Sequence, residues 1–329
     1  RHLPFKRASD IYTMGTMHSK RSIGISTIAL LAILCSVSRL AAETSTGLPV
    51  PPVQSDLIVT SASAMISPPA AAPTLEFAEL WAYLLDGEER FLDPANPITD
   101  LGYFGAGIDS YGKLVGVPRR EKIAGFRGRV HLVVAQIGNY ALTHFCLDPA
   151  YPLRDALVED IVAASRPFAG VQIDFEAVSS KDFDNFRAFL ALLKGRLSGK
   201  TLSVALPACI EEKNDRFDYA RVGDIVDRVI VMAYDEHWST SEPGPVASID
   251  WCRNVSAYAA SKVPAEKLVM GAPFYGRAWG DRATSRAFKY SSLAELLAEK
   301  GIGAIRRMDE IPFVEYIEIV NVKAYFDDA

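Results

Sequence analysis

Residues 170–178 read GVQIDFEAV. The stretch begins at a glycine and is mostly apolar, β-branched or aromatic, the composition of a buried strand. Two carboxylates, Asp174 and Glu176, interrupt it. Side chains on a strand alternate between faces. Val171, Ile173, Phe175 and Ala177 therefore share one face, suited to packing beneath helices. Gln172, Asp174 and Glu176 share the other. At about 3.3 Å per residue, the Cα atoms of the two acids stand roughly 6.6 Å apart. Two carboxyl groups held this close in a partly dry space do not both ionise freely, so one remains protonated near neutral pH. A proton donor of that kind is what the leaving oxygen of a glycosidic bond requires. An ion-paired strand end is the plain structural alternative for a lone D-x-E. Three polar residues on one face of an otherwise apolar strand make the chemical reading equally good.

Similar apolar runs recur on either side: residues 79–85, 100–106, 129–137, 201–208, 228–235 and 267–276. Between them lie helical patterns. Leu153, Leu157, Ile161 and Ala164 fall on one helical face, and Phe183, Phe186, Leu190, Leu193 and Leu197 on another, with charges opposite. Residues 180–182 suit a helix start, and 219–227, 247–262 and 291–300 read as further helices. Alternating strands and helices with continuous apolar strands predict parallel strands covered by helices. Seven strands in about 250 residues fit a (β/α)8 TIM barrel better than a doubly wound sheet. The text ends at VNVKAYFDDA without an eighth run, so the barrel is expected to be truncated before its eighth strand. No G-x-G-x-x-G follows the first strand and no P-loop occurs, which removes the usual support for nucleotide binding.

The chain has 329 residues, 49% hydrophobic and 23% charged, with a formal net charge of −5. That balance does not suit a nucleic-acid binder built on phosphate neutralisation. From Met17, a positive segment with Lys20 and Arg21 precedes an apolar run from Ile23 to Val37 and the small residues Ala41 and Ala42. This is the layout of a secretory signal peptide, too short for a membrane span. Residues 1–42 are therefore read as upstream residues and signal. Residues 43–75, rich in Pro, Ser and Ala, are read as a linker, and 76–329 as the barrel. The expected location is secreted, periplasmic or cell envelope, with no stable membrane span in the mature chain. Cys146, Cys209 and Cys252 fit no zinc spacing and read as small buried hydrophobes. His131, His144 and His237 are scattered, and only His237 falls near the expected cleft. No metal and no cofactor are expected.

Three stretches together resemble glycoside hydrolase family 18, the chitinase family. Its fourth-strand motif D-G-x-D-x-D-x-E aligns with Ala169-Gly170-Val171-Gln172-Ile173-Asp174-Phe175-Glu176, so the last Asp and the Glu are present and the first two Asp positions are Ala169 and Gln172. An amide at 172 is similar to the bacterial spore-germination and cell-wall branch of that family, as is GPVASIDW at 244–251. VMAYDEHW at 231–238 resembles the sixth-strand M-x-Y-D motif, giving Met232, Tyr234 and Asp235. MGAPFYGRAW at 270–279 resembles the seventh-strand motif, giving Tyr275 and Arg277.

The resemblance implies a secreted, monomeric hydrolase of β-1,4-linked N-acetylglucosamine polymers, with chitin-like glycan or peptidoglycan as its polysaccharide partner. It implies a substrate-assisted, retaining mechanism. Glu176 protonates the glycosidic oxygen and the substrate's own acetamido carbonyl attacks the anomeric carbon. Asp174 orients that acetamido group, and Tyr234 donates to its oxygen. Gln172, Met232, Asp235, Tyr275 and Arg277 are expected to line the substrate site, with Trp279 stacking on a sugar ring. Tyr83 and Trp81 on the first strand, and Tyr103 and Phe104 on the second, read chiefly as packing. The competing function is a carbohydrate-binding protein on the same barrel without turnover. Glu176 argues for the enzyme, because family members that lost catalysis typically lost that residue.

Overall fold

Each apolar run becomes a strand where both of its faces are covered. The computed structural model describes residues 58–61, 77–281, 285–308 and 311–326. The expected signal peptide lies outside these residues, as does most of the expected linker. Within the linker, β1 (Ile58–Ser61) is a strand of the second sheet, taken up below. Then follow β2 (Trp81–Leu85), β3 (Asp100–Ile108), β4 (Leu114–Val115), β5 (Arg129–Gln136), β6 (Gly170–Phe175), β7 (Thr201–Pro207), β8 (Arg228–Met232) and β9 (Leu268–Met270). Seven of them run parallel in the order β2-β3-β5-β6-β7-β8-β9, and β4 pairs antiparallel on β3. The sheet curls through 231°, a (β/α)8 barrel-like architecture.

Helices α1 (Tyr140–Leu147), α2 (Leu153–Ala164), α3 (Phe183–Arg196), α4 (Tyr219–Ile225) and α5 (Ile249–Lys262) connect the strands. The core lies between them and the outer face of the sheet. Val171, Ile173 and Phe175 of β6 are buried in it, and Phe175 stacks on Phe189 of α3 at 5.7 Å. Leu157 and Ile161 of α2 and Phe186, Leu190 and Leu193 of α3 close the same layer, as their spacing predicts. Each such side chain contributes roughly 1.5–3 kcal/mol on burial. Helix α1 was not legible in the pattern. It is started by Asn139, whose side chain accepts from the Leu142 N–H at 3.0 Å. Residues 180–182 form a 3-10 turn leading into α3, and Asp182 does not cap it. The Asp182 carboxylate accepts from Ser179 Oγ at 2.7 Å and faces His144 Nδ1 at 2.7 Å.

The chain divides into two compact units, and this barrel-like sheet with its helices belongs to the first, residues 75–234 and 249–272. The second contains residues 235–248 and 273–329 together with β1. It is built on β10 (Tyr275–Trp279), β11 (Arg286–Lys289), β12 (Ala304–Met308), β13 (Ile311–Ile317) and β14 (Asn321–Tyr325), with α6 (Leu293–Glu299). These strands are all antiparallel, in the order β1-β12-β13-β14-β10-β11. Its small core holds Ala278, Leu293, Leu297, Ile305, Val314, Val322 and Phe326. The run at 267–276, read as one barrel strand, is thus two strands in different sheets. Pro273 lacks an N–H to continue a ladder, and the backbone N–H of Gly271 turns back to Val231 O at 2.8 Å.

Candidate active site

Because Val171, Ile173 and Phe175 pack outward, Gly170, Gln172 and Asp174 of β6 face the inside of the curl. Parallel register places Ala135 of β5 beside Asp174, and Ser203 of β7 beside Gln172. Small side chains therefore flank this interior face of β6 on both sides. Glu176 stands one residue past the end of β6, at the carboxyl-terminal rim, where barrel active sites lie. It is half-buried, and its N–H donates to Gln136 O at 3.0 Å.

Gln172 is 1% exposed, and its amide is held by Tyr83 of β2. Gln172 Nε2 lies 3.0 Å from the Tyr83 hydroxyl. That reach across the curl needs room at Gly102, the register partner of Tyr83 on β3. A Cβ at position 102 would sit 2.5 Å from Tyr83 Cδ1. Sequence reasoning placed Tyr83 among packing residues, whereas it supports the interior face of β6. The one available signal was the glycine in an otherwise bulky strand, DLGYF.

The Gln172 amide points to Tyr83, not to Asp174. Asp174 is 6% exposed, and its Oδ1 has no hydrogen-bond partner. Burial disfavours the charged form and pushes its carboxyl from the usual 3.8 up to about 7. A buried carboxyl oxygen without a donor is costly to leave unmade, by about 1–3 kcal/mol. It is a ready acceptor for an incoming N–H. Met232 ends β8, aligned with Pro207 of β7, and Tyr234 follows two residues later, both half-buried. Gly271 lets the Tyr234 ring lie close, since a Cβ there would be 3.1 Å from Tyr234 Cε1 and 2.9 Å from Val231 O. The first unit thus carries Gln172 and Asp174 on β6 with Glu176 just past its end, and Met232 and Tyr234 at the end of β8, two strands along in the sheet.

The remaining candidates belong to the second unit. Asp235 adopts a left-handed backbone, φ 61°, uncommon for a residue with a Cβ. Its Oδ1 accepts from the Tyr275 hydroxyl at 2.6 Å and from Arg277 Nη2 at 2.8 Å. Arg277 is 2% exposed and its Nε is unpartnered. Trp279 is buried against the edge of Tyr325, ring centroids 6.0 Å apart, and its indole N–H donates to Trp238 O at 3.2 Å. His237 Nδ1 lies 3.0 Å from Pro245 O.

The opposite, amino-terminal end of the barrel sheet carries a charge network. Asp100 is fully buried and accepts from Arg129 Nε at 2.6 Å and Thr99 Oγ1 at 2.8 Å, with His131 Nε2 at 2.8 Å. Burial alone would raise its pKa, but hydrogen bonds from His131, Arg129 and Thr99 outweigh that and hold the carboxyl well below the usual range. Glu79 binds Arg228, Trp81 and Arg129. Trp81 and His131 are therefore structural, their rings 4.4 Å apart. Cys146 and Cys209 are buried and Cys252 is half-buried. Among the described residues no cluster of side chains suits a metal ion, and no helix is long and apolar enough to cross a membrane.

Comparison with known proteins agrees with this fold. Residues 154–327 match the sequence profile of Glycosyl hydrolases family 18. The chain is 35% identical over 149 residues to the uncharacterised glycosylase YvbX of Bacillus subtilis, covering 42% of this chain and 43% of that protein. It is 31% identical over 201 residues to the cortical fragment-lytic enzyme of Bacillus anthracis, 56% of this chain and 46% of that protein. It thus spans less than half the length of these relatives. Among solved structures, the spore cortex-lytic enzyme SleL of Bacillus cereus superposes with a TM-score of 0.67 at 25% identity, covering 76% of this chain and 65% of that one. A chitinase from Chromobacterium violaceum shares the fold, with a TM-score of 0.63 at 24% identity, covering 71% of this chain and 80% of that one.

Proposed function

This chain belongs to glycosyl hydrolases family 18, and on that premise we propose that it is a secreted hydrolase of β-1,4-linked N-acetylglucosamine polymers acting by a substrate-assisted, retaining mechanism. Peptidoglycan is the favoured substrate, because the cortical fragment-lytic relative is 31% identical over 201 residues, against 25% over 227 for a chitinase-like mite allergen. The observation that carries the reading is the state of Asp174. It is a desolvated carboxyl with an unpartnered Oδ1, two residues before a half-buried glutamate on the same strand end.

Glu176 protonates the glycosidic oxygen as the bond to the leaving sugar breaks. The acetamido carbonyl of the retained sugar attacks the anomeric carbon from the opposite face, giving a cyclic oxazolinium. The acetamido N–H donates to Asp174 Oδ1, which orients the carbonyl and, once Asp174 is ionised, balances the positive charge that develops. Tyr234 donates to the acetamido oxygen and fixes its angle. Glu176, now ionised, takes a proton from water as that water opens the ring, so configuration is retained. Gln172 stands where the fuller motif has a second acid. Held by Tyr83, it cannot share a proton with Asp174, so the acid limb of the pH–rate profile is expected to differ from that of relatives carrying Asp there. An identical limb would remove this point.

The test is product analysis on peptidoglycan and on chitin oligosaccharides, with the full-length natural protein and its Glu176→Gln variant. Cleavage by the wild type with retained anomeric configuration, lost by roughly 10²–10⁴-fold in the variant, is the expected result. Saturable binding of both glycans with no cleavage by the wild type would replace this reading with that of a carbohydrate-binding protein.

A further inference from the structure

Segment 119–129, RREKIAGFRGR, carries five cations and a single acid, Glu121, in a chain whose net charge is −5. Three of those cations, Arg120, Arg127 and Arg129, line an open cavity of about 660 Å³ together with Ile98, Thr99 and Pro167. The volume falls in the range of small-ligand sites. Its walls are the entries to β3, β5 and β6, so it opens at the amino-terminal end of the parallel sheet. Ala169 in its lining precedes Glu176 by seven residues along one strand, roughly 23 Å at about 3.3 Å per residue. The cavity is therefore separate from the candidate active site.

The three guanidinium groups are held differently. Arg129 is neutralised by Asp100 and Glu79 through Nε and Nη2, which leaves its Nη1 free to donate. Arg120 is half-buried and fixed by its own loop, with Nη1 donating to Ile123 O at 2.8 Å and Nη2 to Phe126 O at 3.4 Å. Its charge has no counter-ion among the described residues. Arg127 is exposed, with neither a hydrogen bond nor an ion pair among the described residues. Two uncompensated cations thus face one recess, next to a third group with spare donors. Guanidinium groups arriving from separate turns suit a tetrahedral oxyanion, which accepts from several directions, better than a planar carboxylate, which one Arg fork satisfies.

We infer that this recess is a second, non-catalytic site that takes a phosphate group of an anionic, phosphodiester-linked polymer. Arg120 is half-buried in the lining of the recess, which fits a chain better than a flat bilayer. Only the source of the phosphate, a wall polymer lying with the glycan, rests on the function proposed above. The binding chemistry does not. Its role would be to hold the protein on its insoluble substrate while the far end of the sheet works on the glycan.

The test is calorimetric titration of the full chain with polyglycerol phosphate, with inorganic phosphate as competitor, and with polyglutamate and phosphatidylglycerol vesicles as alternatives. Expected is saturable, salt-sensitive binding of polyglycerol phosphate, displaced by phosphate and weakened about tenfold or more by Arg127→Glu. Arg127 has no contact to lose, so this variant should keep the wild-type circular dichroism and its turnover of soluble glycan oligosaccharides. Arg120→Gln with Arg127→Gln should weaken binding similarly. No saturable binding by the wild type, equal affinity in the Arg127→Glu variant, or tighter binding of polyglutamate or vesicles would overturn the inference. Because phosphate binding is read without turnover, a failure to cleave glycan would leave it standing, and the converse also holds.

Discussion

Replacing Asp174 by Asn should stabilise the protein, increasingly so as pH rises. The Asp174 carboxyl ionises near 3.8 when solvated and near about 7 when buried in the folded protein. At pH 4 the folded state keeps the acid protonated and the unfolded state is only half ionised, so linkage contributes little. Between pH 4 and 7 the unfolded chain releases a proton that the folded chain retains. Stability then falls by about 1.36 kcal/mol per pH unit. Above pH 7 both states are ionised and the loss levels off at roughly 4 kcal/mol. Asparagine has nearly the same shape and no such term. Urea unfolding followed by circular dichroism at pH 4.5, 6 and 8 should show the variant gaining on the wild type across this range, while its turnover of glycan falls. A gap between variant and wild type that stays flat or narrows from pH 4.5 to 8 would refute the claim that Asp174 is held protonated by burial.

Gly102→Ala should cost about 1–3 kcal/mol by overpacking, because its Cβ would fall 2.5 Å from the Tyr83 ring. Thermal unfolding measures that cost, and kcat should fall more than KM rises. Tyr83→Phe should cost a similar 1–3 kcal/mol by stranding the buried Gln172 amide, read in the same assay. Asp235→Ala should destabilise by about 3 kcal/mol, since it leaves the buried Arg277 guanidinium unpaired. Asp235→Gly should be milder by about 1 kcal/mol, because glycine relieves the left-handed backbone. Asp100, whose pKa is depressed, stabilises the fold above the ordinary carboxylate pKa and loses that contribution as pH falls through its folded value. Asp100→Asn should therefore flatten the decline in urea midpoint between pH 5 and 2.

Strict alternation made β6 readable, because both of its faces are filled and a one-residue slip would exchange them. The helix faces at Leu157 and Ile161, and at Phe186, Leu190 and Leu193, were readable for the same reason. The antiparallel sheet was not. Its strands are short, β12 carries Arg306 and Arg307, and its pairing joins segments far apart in the chain, as Thr60 with Ile305. Local pattern holds no record of such partners. The split of residues 267–276 was signalled only by Pro273. In the site, the residue types were legible from motif order, but the unpartnered Oδ1 of Asp174 and the turn of Gln172 toward Tyr83 depend on cross-strand register. The aromatic at 279 illustrates the same limit. Stacking on sugar and packing on Tyr325 look alike in sequence.

The contact between Tyr83 and Gly102 also constrains how this chain can diverge. The two positions share one volume, so neither can change freely while the other stays. A lineage that enlarges residue 102 must first reduce residue 83, and that reduction removes the support of Gln172. The viable order of substitutions runs through a change at 172, back to an acid or to a residue that needs no partner. Positions 83, 102 and 172 should therefore covary among relatives as a trio, with bulky residues at both 83 and 102 a combination that does not occur.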